Sequence, residues 1–256
     1  IDYATGNDGW SVEDYLNPLV ILTPAPQPTS LPAVPASTTP PTPTPVVVTE
    51  TPPSVVTLNA KFGVSVGDTL PSLSDSELNK TLDDLVALRV GWVRFDIAWS
   101  DVQYNNSAEY DWKLIDRIVT AMKGRGLQML PIITYTPTWA RGSACTASIN
   151  CAPADTAKFA KFAGEVVKRY SPQGIHAWEI WNEPNMGNFW QPLGNVRGYA
   201  KLLKETSVAI KAVDPAAFIV TGGVGPAATN GEDVSPLDFV EQLYPAMLCS
   251  ILLLDN

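Results

Sequence analysis

From residue 58 onward, short apolar runs alternate with amphipathic stretches. Residues 61–66 read as a first strand. A helix follows, opened by the capping-box pattern Ser74-x-x-Glu77, and its Leu78, Leu82, Leu85 and Val86 recur at helical spacing. Residues 92–99 predict a second strand. A helix from about Asp111 comes next, with Leu114, Ile115, Ile118, Val119 and Met122 on one side and Gly124 and Gly126 at its end. Residues 127–134 predict the third strand and 154–170 the third helix, with Phe159, Phe162, Val166 and Val167 facing inward. The fourth strand is expected over 175–182, and its helix over 196–213 stops before Pro215. Residues 218–222 give a fifth strand, and a fifth helix begins near Ser235-Pro236. Five strand-then-helix units imply parallel strands joined by helical crossovers. The strands are apolar at both parities, as expected where both faces are covered. That pattern fits an open doubly wound sheet or a (β/α)8 barrel.

Composition changes the picture before residue 58. Eleven of the 23 prolines fall between Pro24 and Pro53, among Thr, Ser and Val with no helical or strand period. Such a stretch buries no core and reads as an extended, semi-rigid spacer. It is either an O-glycosylated stalk or an unmodified disordered tail. Residues 1–57 are therefore taken as a disordered tail and linker, and 58–256 as the folded part.

A net charge of −9 with no basic stripe argues against nucleic acid or an anionic membrane as partner. It also makes a neutral substrate more natural than a strongly acidic one. No apolar run reaches the roughly 18 residues of a membrane span. Cys145 and Cys151 sit in a Ser/Ala/Asn loop at a separation that a small disulfide-closed loop spans, and such a bond suits an extracellular or cell-surface protein. The chain begins with Ile1 rather than Met, so a true amino terminus lying ahead of it, with any export signal that it carries, is the expectation. Cys249, in an apolar tail, reads as a buried or orphaned thiol. No Cys spacing suggests a metal, and no cofactor is expected. Thr221-Gly222-Gly223-Val224-Gly225 lacks the Lys-Ser/Thr of a phosphate loop, so its glycines are read as a tight turn at a strand end. His176, the only histidine, falls at a strand start and reads as structural, which leaves the opposite rim without the base of a Ser-His-Asp triad.

The most informative segment is Trp181-Asn182-Glu183-Pro184-Asn185, directly after an apolar run. Pro184 has no N–H with which to extend a ladder, so a carboxyl group is left at a strand's carboxyl end. In parallel α/β folds ligands and catalytic groups collect at that rim. Arg94 lies inside an apolar strand and needs a carboxylate partner. Asp96 and Glu179 are the candidates, and Glu179, one repeat deeper than Glu183, is read as the structural partner. Trp99, Trp139, Trp181 and Trp190 fall at strand ends or in the following loops, where each either offers a ring face to a bound ligand or packs; Tyr135 is a further rim candidate. Trp92 and Trp178 read as core.

Trp181-Asn182-Glu183-Pro184-Asn185 on a fourth strand resembles the acid/base signature of retaining glycoside hydrolases built on (β/α)8 barrels. Val93-Arg94-Phe95-Asp96 and Tyr135-Thr136-Pro137-Thr138-Trp139-Ala140 make the chain most similar to families 39 and 5. The resemblance implies a TIM-barrel fold and hydrolysis of O-glycosidic bonds in a neutral, β-linked carbohydrate. Glu183 is then the general acid/base, with its pKa raised by burial and by a second carboxylate. Asn182 would hydrogen-bond the sugar's 2-hydroxyl, and Arg94 would lie below the sugar and orient the nucleophile. The nucleophile that the resemblance implies, a Glu ending a seventh strand, maps onto no residue here. The barrel is accordingly expected to be incomplete, with five β/α units, or six if residues 247–256 form a further strand, and with two open sheet edges. Marginal folding, self-association through those edges and near-inactivity on glycosides are the corresponding expectations. A carbohydrate-binding or wall-associated remnant without catalysis is the alternative.

Overall fold

A computed structural model of the chain describes residues 58–106, 108–192 and 195–249. Five strands and six helices succeed one another: β1 (Asn59–Gly67), α1 (Asp75–Ala87), β2 (Val90–Ala98), the single turn α2 (Trp99–Val102), α3 (Lys113–Lys123), β3 (Gln128–Thr134), α4 (Thr156–Tyr170), β4 (Ala177–Ile180), α5 (Val196–Val213), β5 (Phe218–Thr221) and α6 (Pro236–Cys249). Local chemistry sets several of these boundaries. Ser74 and Glu77 form the capping box that opens α1, Asp155 caps α4 through the Ala157 N–H, and Asn195 caps α5 through the Gly198 N–H.

All neighbouring strands pair in parallel, in the order β1-β2-β3-β4-β5. Parallel strands in strict sequence order, with right-handed crossovers, keep every connecting helix on the same side. A doubly wound sheet instead reverses its order at a switch point. The described part is thus α/β of the (β/α)8 TIM-barrel type, with five β/α units.

The side chains divide by parity. Val93, Phe95 and Ile97 of β2, Met129 and Ile133 of β3, and Trp178 and Ile180 of β4 join the core with Leu82, Ile118, Phe159, Phe162, Ile210 and Phe239 from the helices. The opposite parity carries Arg94 and Asp96, with Asp96 in register with Ile132 and Ile132 with Glu179.

Three expectations change. Leu114 is not in the apolar face of α3, which is built by Ile115, Ile118, Val119 and Met122; it is 44% exposed, since it lies roughly 100° around the helix from Ile115. The fourth strand ends at Ile180, so Asn182 and Glu183 sit beyond it, in the connecting loop. Residues 247–249, part of the stretch considered for a sixth strand, continue α6. The rest of that stretch, the Pro/Thr-rich segment and the Cys249 thiol lie outside the described residues.

Candidate active site

The carboxyl ends of β2, β3 and β4 converge on a polar cluster. Arg94 reaches across the inner face to Glu179: its Nε donates to Oε2 and its Nη2 to Oε1, both at 2.7 Å. Nη1 donates to Ser65 Oγ at 3.0 Å, and Nη2 also donates to Asn182 Oδ1 at 2.9 Å. Glu179 is buried and takes a further hydrogen bond from the Gly223 N–H at 2.8 Å. A buried ion pair is tolerable when its geometry is bidentate and its remaining lone pairs are met, and this one satisfies both conditions. The structural partnership read for Arg94 and Glu179 is what the fold contains. Because Arg94 can only donate, it fixes the Asn182 amide with its oxygen inward and leaves the Nδ2 hydrogens to donate elsewhere.

Glu183 follows in a strained stretch. Tyr135, Trp181 and Glu183 have φ values of 57°, 69° and 45°, a left-handed conformation that is costly for side-chain-bearing residues. Such outliers cluster at functional sites, where the surrounding structure over-determines them. Here the bracing is visible. The Glu183 N–H donates to Gly223 O at 2.9 Å, and Met186 N donates to Glu183 O at 2.9 Å. Asn185, buried two residues later, donates from Nδ2 to Gly225 O and Val234 O and accepts from the Gly225 N–H, each at 2.8 Å. The loop after β5 is thereby clamped to the loop after β4. Its glycines serve close approach: a Cβ on Gly222 would lie 2.7 Å from Trp181 O, and one on Gly225 would lie 2.7 Å from Met186 Cγ. Glu183 itself is half-buried, and that burial raises its carboxyl above the ordinary range against the opposing pull of Arg94.

The tryptophan readings separate sharply. Trp99 and Trp181 are fully buried and Trp190 is 1% exposed, so none presents a ring face to a sugar. Trp99 stacks on Phe162, Trp181 meets Phe159 and Trp190, and Trp190 meets Tyr199, a continuous aromatic seam on the helix side of the sheet. Each indole N–H is used internally, by Gln103, Phe189 O and Asn195 O respectively. A strand-end position was a poor guide because the parity of Trp99 and the left-handed backbone of Trp181 turn these rings to the helix side, while Trp190, well beyond β4, packs between Trp181 and Tyr199. Trp139 remains half-buried, with its N–H on Gln103 O, and Tyr135 is 7% exposed.

Cys145 and Cys151 are joined as a disulfide with their Cα atoms 5.6 Å apart. His176 lies ahead of β4, its Nδ1 2.7 Å from Asp214 Oδ2 at the end of α5, far along the strand from Glu183. Among the described residues no helix is long and apolar enough to cross a membrane.

Two groups in the cluster were under-read. Asp96, weighed as a partner for Arg94 or as a second carboxylate for Glu183, is buried with its Oδ1 shut off from any hydrogen-bond partner; Asn185 was quoted within the motif without a role. Asp96 shares the inward parity of Arg94, a signal available in the sequence. The clamp made by Asn185 joins residues 40 and 49 positions apart, which no local pattern reveals.

A parallel sheet in strict sequence order, with a polar cluster gathered toward the carboxyl ends of its strands, defines the class, an α/β protein of TIM-barrel type. The profile of the glycosyl hydrolases of family 39 matches residues 76–243. The chain belongs to that family. It is 40% identical over 76 residues to a beta-xylosidase of Geobacillus stearothermophilus, a match covering 29% of this chain and 14% of the relative. Among solved structures, a family 39 enzyme from Xanthomonas axonopodis pv. citri superposes with a TM-score of 0.58 at 20% identity, over 74% of this chain and 38% of that one. A monomeric beta-xylosidase from Caulobacter crescentus gives 0.57 at 19% identity, over 74% and 39%. The matched part therefore spans well under half the length of these relatives, and the structural likenesses speak to the fold alone.

Proposed function

We propose that the chain carries the acid/base half of a glycosidase active site, acting on a neutral, β-linked carbohydrate by a retaining mechanism. The observation that supports this best is Glu183: a carboxyl at the rim, raised by burial, on a backbone braced from β4 and β5 at once. In the first step it gives its proton to the departing glycosidic oxygen as the anomeric carbon is attacked. In the second, as carboxylate, it takes a proton from the water that releases the sugar. Asn182, its amide fixed by Arg94, donates to the sugar's 2-hydroxyl. Arg94 lies below the sugar, and of the aromatic rim residues Trp139 and Tyr135 remain for contact with it. Glu179 is consumed by Arg94 and is not free to act as the opposing nucleophile.

The disulfide supports an extracellular or cell-surface location. β1 and β5 are the outer strands of the described sheet, and their free edges support self-association at high concentration.

The experiment supplies the missing partner. With azide added as nucleophile, the chain should convert an alkyl β-xyloside to the glycosyl azide: azide bonds to the anomeric carbon, the C–O bond breaks, and the alcohol leaves with the Glu183 proton. Glu183→Gln should abolish this with little loss of stability. Oligosaccharide binding without product in azide would favour a binding module instead. Strong turnover without azide would place the nucleophile within this chain.

A further inference from the structure

The loop after β5 lies directly against the carboxyl on which the proposed chemistry depends. A Cβ built on Gly225 would stand 3.2 Å from Glu183 Cδ, 2.7 Å from Met186 Cγ and 3.0 Å from Met186 Sδ. The main chain of Gly225 is therefore a wall of the Glu183 side chain's surroundings, and it can come so close because it carries no side chain of its own. Two residues earlier in the loop, Gly223 O accepts from the Glu183 N–H at 2.9 Å, while the Gly223 N–H donates to Glu179 Oε1 at 2.8 Å. One loop thus holds the backbone of Glu183 and faces its carboxyl.

Asn185 keeps Gly225 in that place. Its Nδ2 hydrogens donate to Gly225 O and Val234 O, and its Oδ1 accepts from the Gly225 N–H, each at 2.8 Å. Its own carbonyl accepts from the Val234 N–H at 2.9 Å. Both hydrogens of one amide and an acceptor site are spent on the backbone of another loop. Asn185 is 2% exposed, so water does not compete for these bonds, and loss of the amide would leave buried backbone groups unmet. The contact acts on Glu183 without charge. Asn185 is neutral, and residues 222–231 include no titratable side chain. The titratable groups that bear on the carboxyl come from other elements: Arg94 on β2, which opposes its rise, and Tyr135 after β3. Asp233, beyond the glycines, is held by the Gly187 N–H at 2.8 Å.

We propose that Asn185 is a positioning residue for Glu183: it pins Gly225 against the Glu183 carboxyl and keeps that flank closed to water. The use of this carboxyl as an acid rests on the glycosidase reading above, to which the proposal adds the residue that maintains the acid's surroundings.

The test follows Glu183 first and turnover second. In the full chain with carbon-13 in its glutamate carboxyls, and Glu183→Gln to assign the signal, Asn185→Ala should lower the Glu183 midpoint toward the ordinary glutamate range, because water then reaches the carboxyl. Val119→Ala, a cavity in the buried face of α3, should cost stability and leave the midpoint unmoved. An unmoved midpoint in Asn185→Ala, or an equal drop in Val119→Ala, would overturn the proposal. If Asn185→Ala does not fold, Asn185→Ser takes its place, uncharged and with a single hydrogen to donate. The unaltered chain supplies a check that needs no variant. The Gly225 amide should exchange with deuterium about a hundredfold or more slower than an unstructured amide, and exchange near the unstructured rate would sink the clamp.

Turnover in azide separates this proposal from the reading beneath it. At neutral pH, Asn185→Ala should lower conversion of methyl β-xyloside about tenfold. Conversion of 2,4-dinitrophenyl β-xyloside, whose phenolate leaves without a proton, should fall by less than about twofold. A lowered midpoint with equal losses on both substrates, or with no conversion of either by the unaltered chain, leaves the clamp standing and removes Glu183 as the acid.

Discussion

The two faces of one sheet differ as much as two proteins do. On the helix side, Trp99, Trp181 and Trp190 join Phe159, Phe162 and Tyr199 in a seam that excludes water. On the inner side, within the same strands, Arg94, Asp96 and Glu179 meet among polar neighbours. Strand period two sorts them: consecutive residues point to opposite faces, so Phe95 and Asp96 share a backbone and no environment. Bulk on one face supplies stability, while the other holds charges that an apolar core of equal volume would not need. Aromatic richness at the strand-end rim is therefore no guide to which rings lie open to a ligand.

The sharpest way to break this contrast is to damage each face and then attempt a repair. Trp181→Ala on the aromatic face and Glu179→Ala on the charged face should each cost about 3–5 kcal/mol, measured by denaturant unfolding. The causes differ, a cavity in one case and an uncompensated guanidinium in the other. Replacing Arg94 and Glu179 together by Met and Leu should recover most of the second loss, and no partner change should recover the first. Failure of the double replacement to recover stability would mean that Arg94 is held chiefly by Ser65 and Asn182.

Next in size is a pH effect confined to the inner face. Asp96 is raised from 3.8 to about 7, so the folded state binds its proton more tightly than the unfolded state does. The sign follows by linkage: its contribution is most favourable below about pH 4, is lost progressively up to about pH 7, and stays lost above. Asp96→Asn should therefore raise the melting temperature at pH 8 and change it little at pH 4. The difference should be at most about 4 kcal/mol, from roughly 1.36 kcal/mol per unit. Equal effects at both pH values would show that Asp96 is already ionised at low pH. Smallest of all, Leu114→Lys on the solvent side of α3 should stay within about 0.5 kcal/mol. A larger loss would mean that Leu114 is covered in solution.

The order of elements was legible because each leaves a local signature. Ser74 and Glu77 announced α1, the 3.6-residue period marked α3 and α4, and Pro184 closed the segment after β4. The motif around Glu183 placed the candidate acid before any coordinates were known. What it could not convey was the company that acid keeps. The clamp from Asn185 to Gly225 and Val234 and the close packing of Gly222 on Trp181 O both join the fourth unit to the fifth.

By itself, the amino-acid sequence determined the order of the five strand-helix units and that a carboxyl would stand close after the fourth strand. Periodicity, capping and proline stops act within a few residues, so they can be read along a line. Tertiary structure alone decided which tryptophans are sealed away, which carboxylate Arg94 takes, and that Asp96 is left with an unmet oxygen. Those outcomes depend on through-space distances and on water being excluded, and both arise only when strands from separate units are laid side by side.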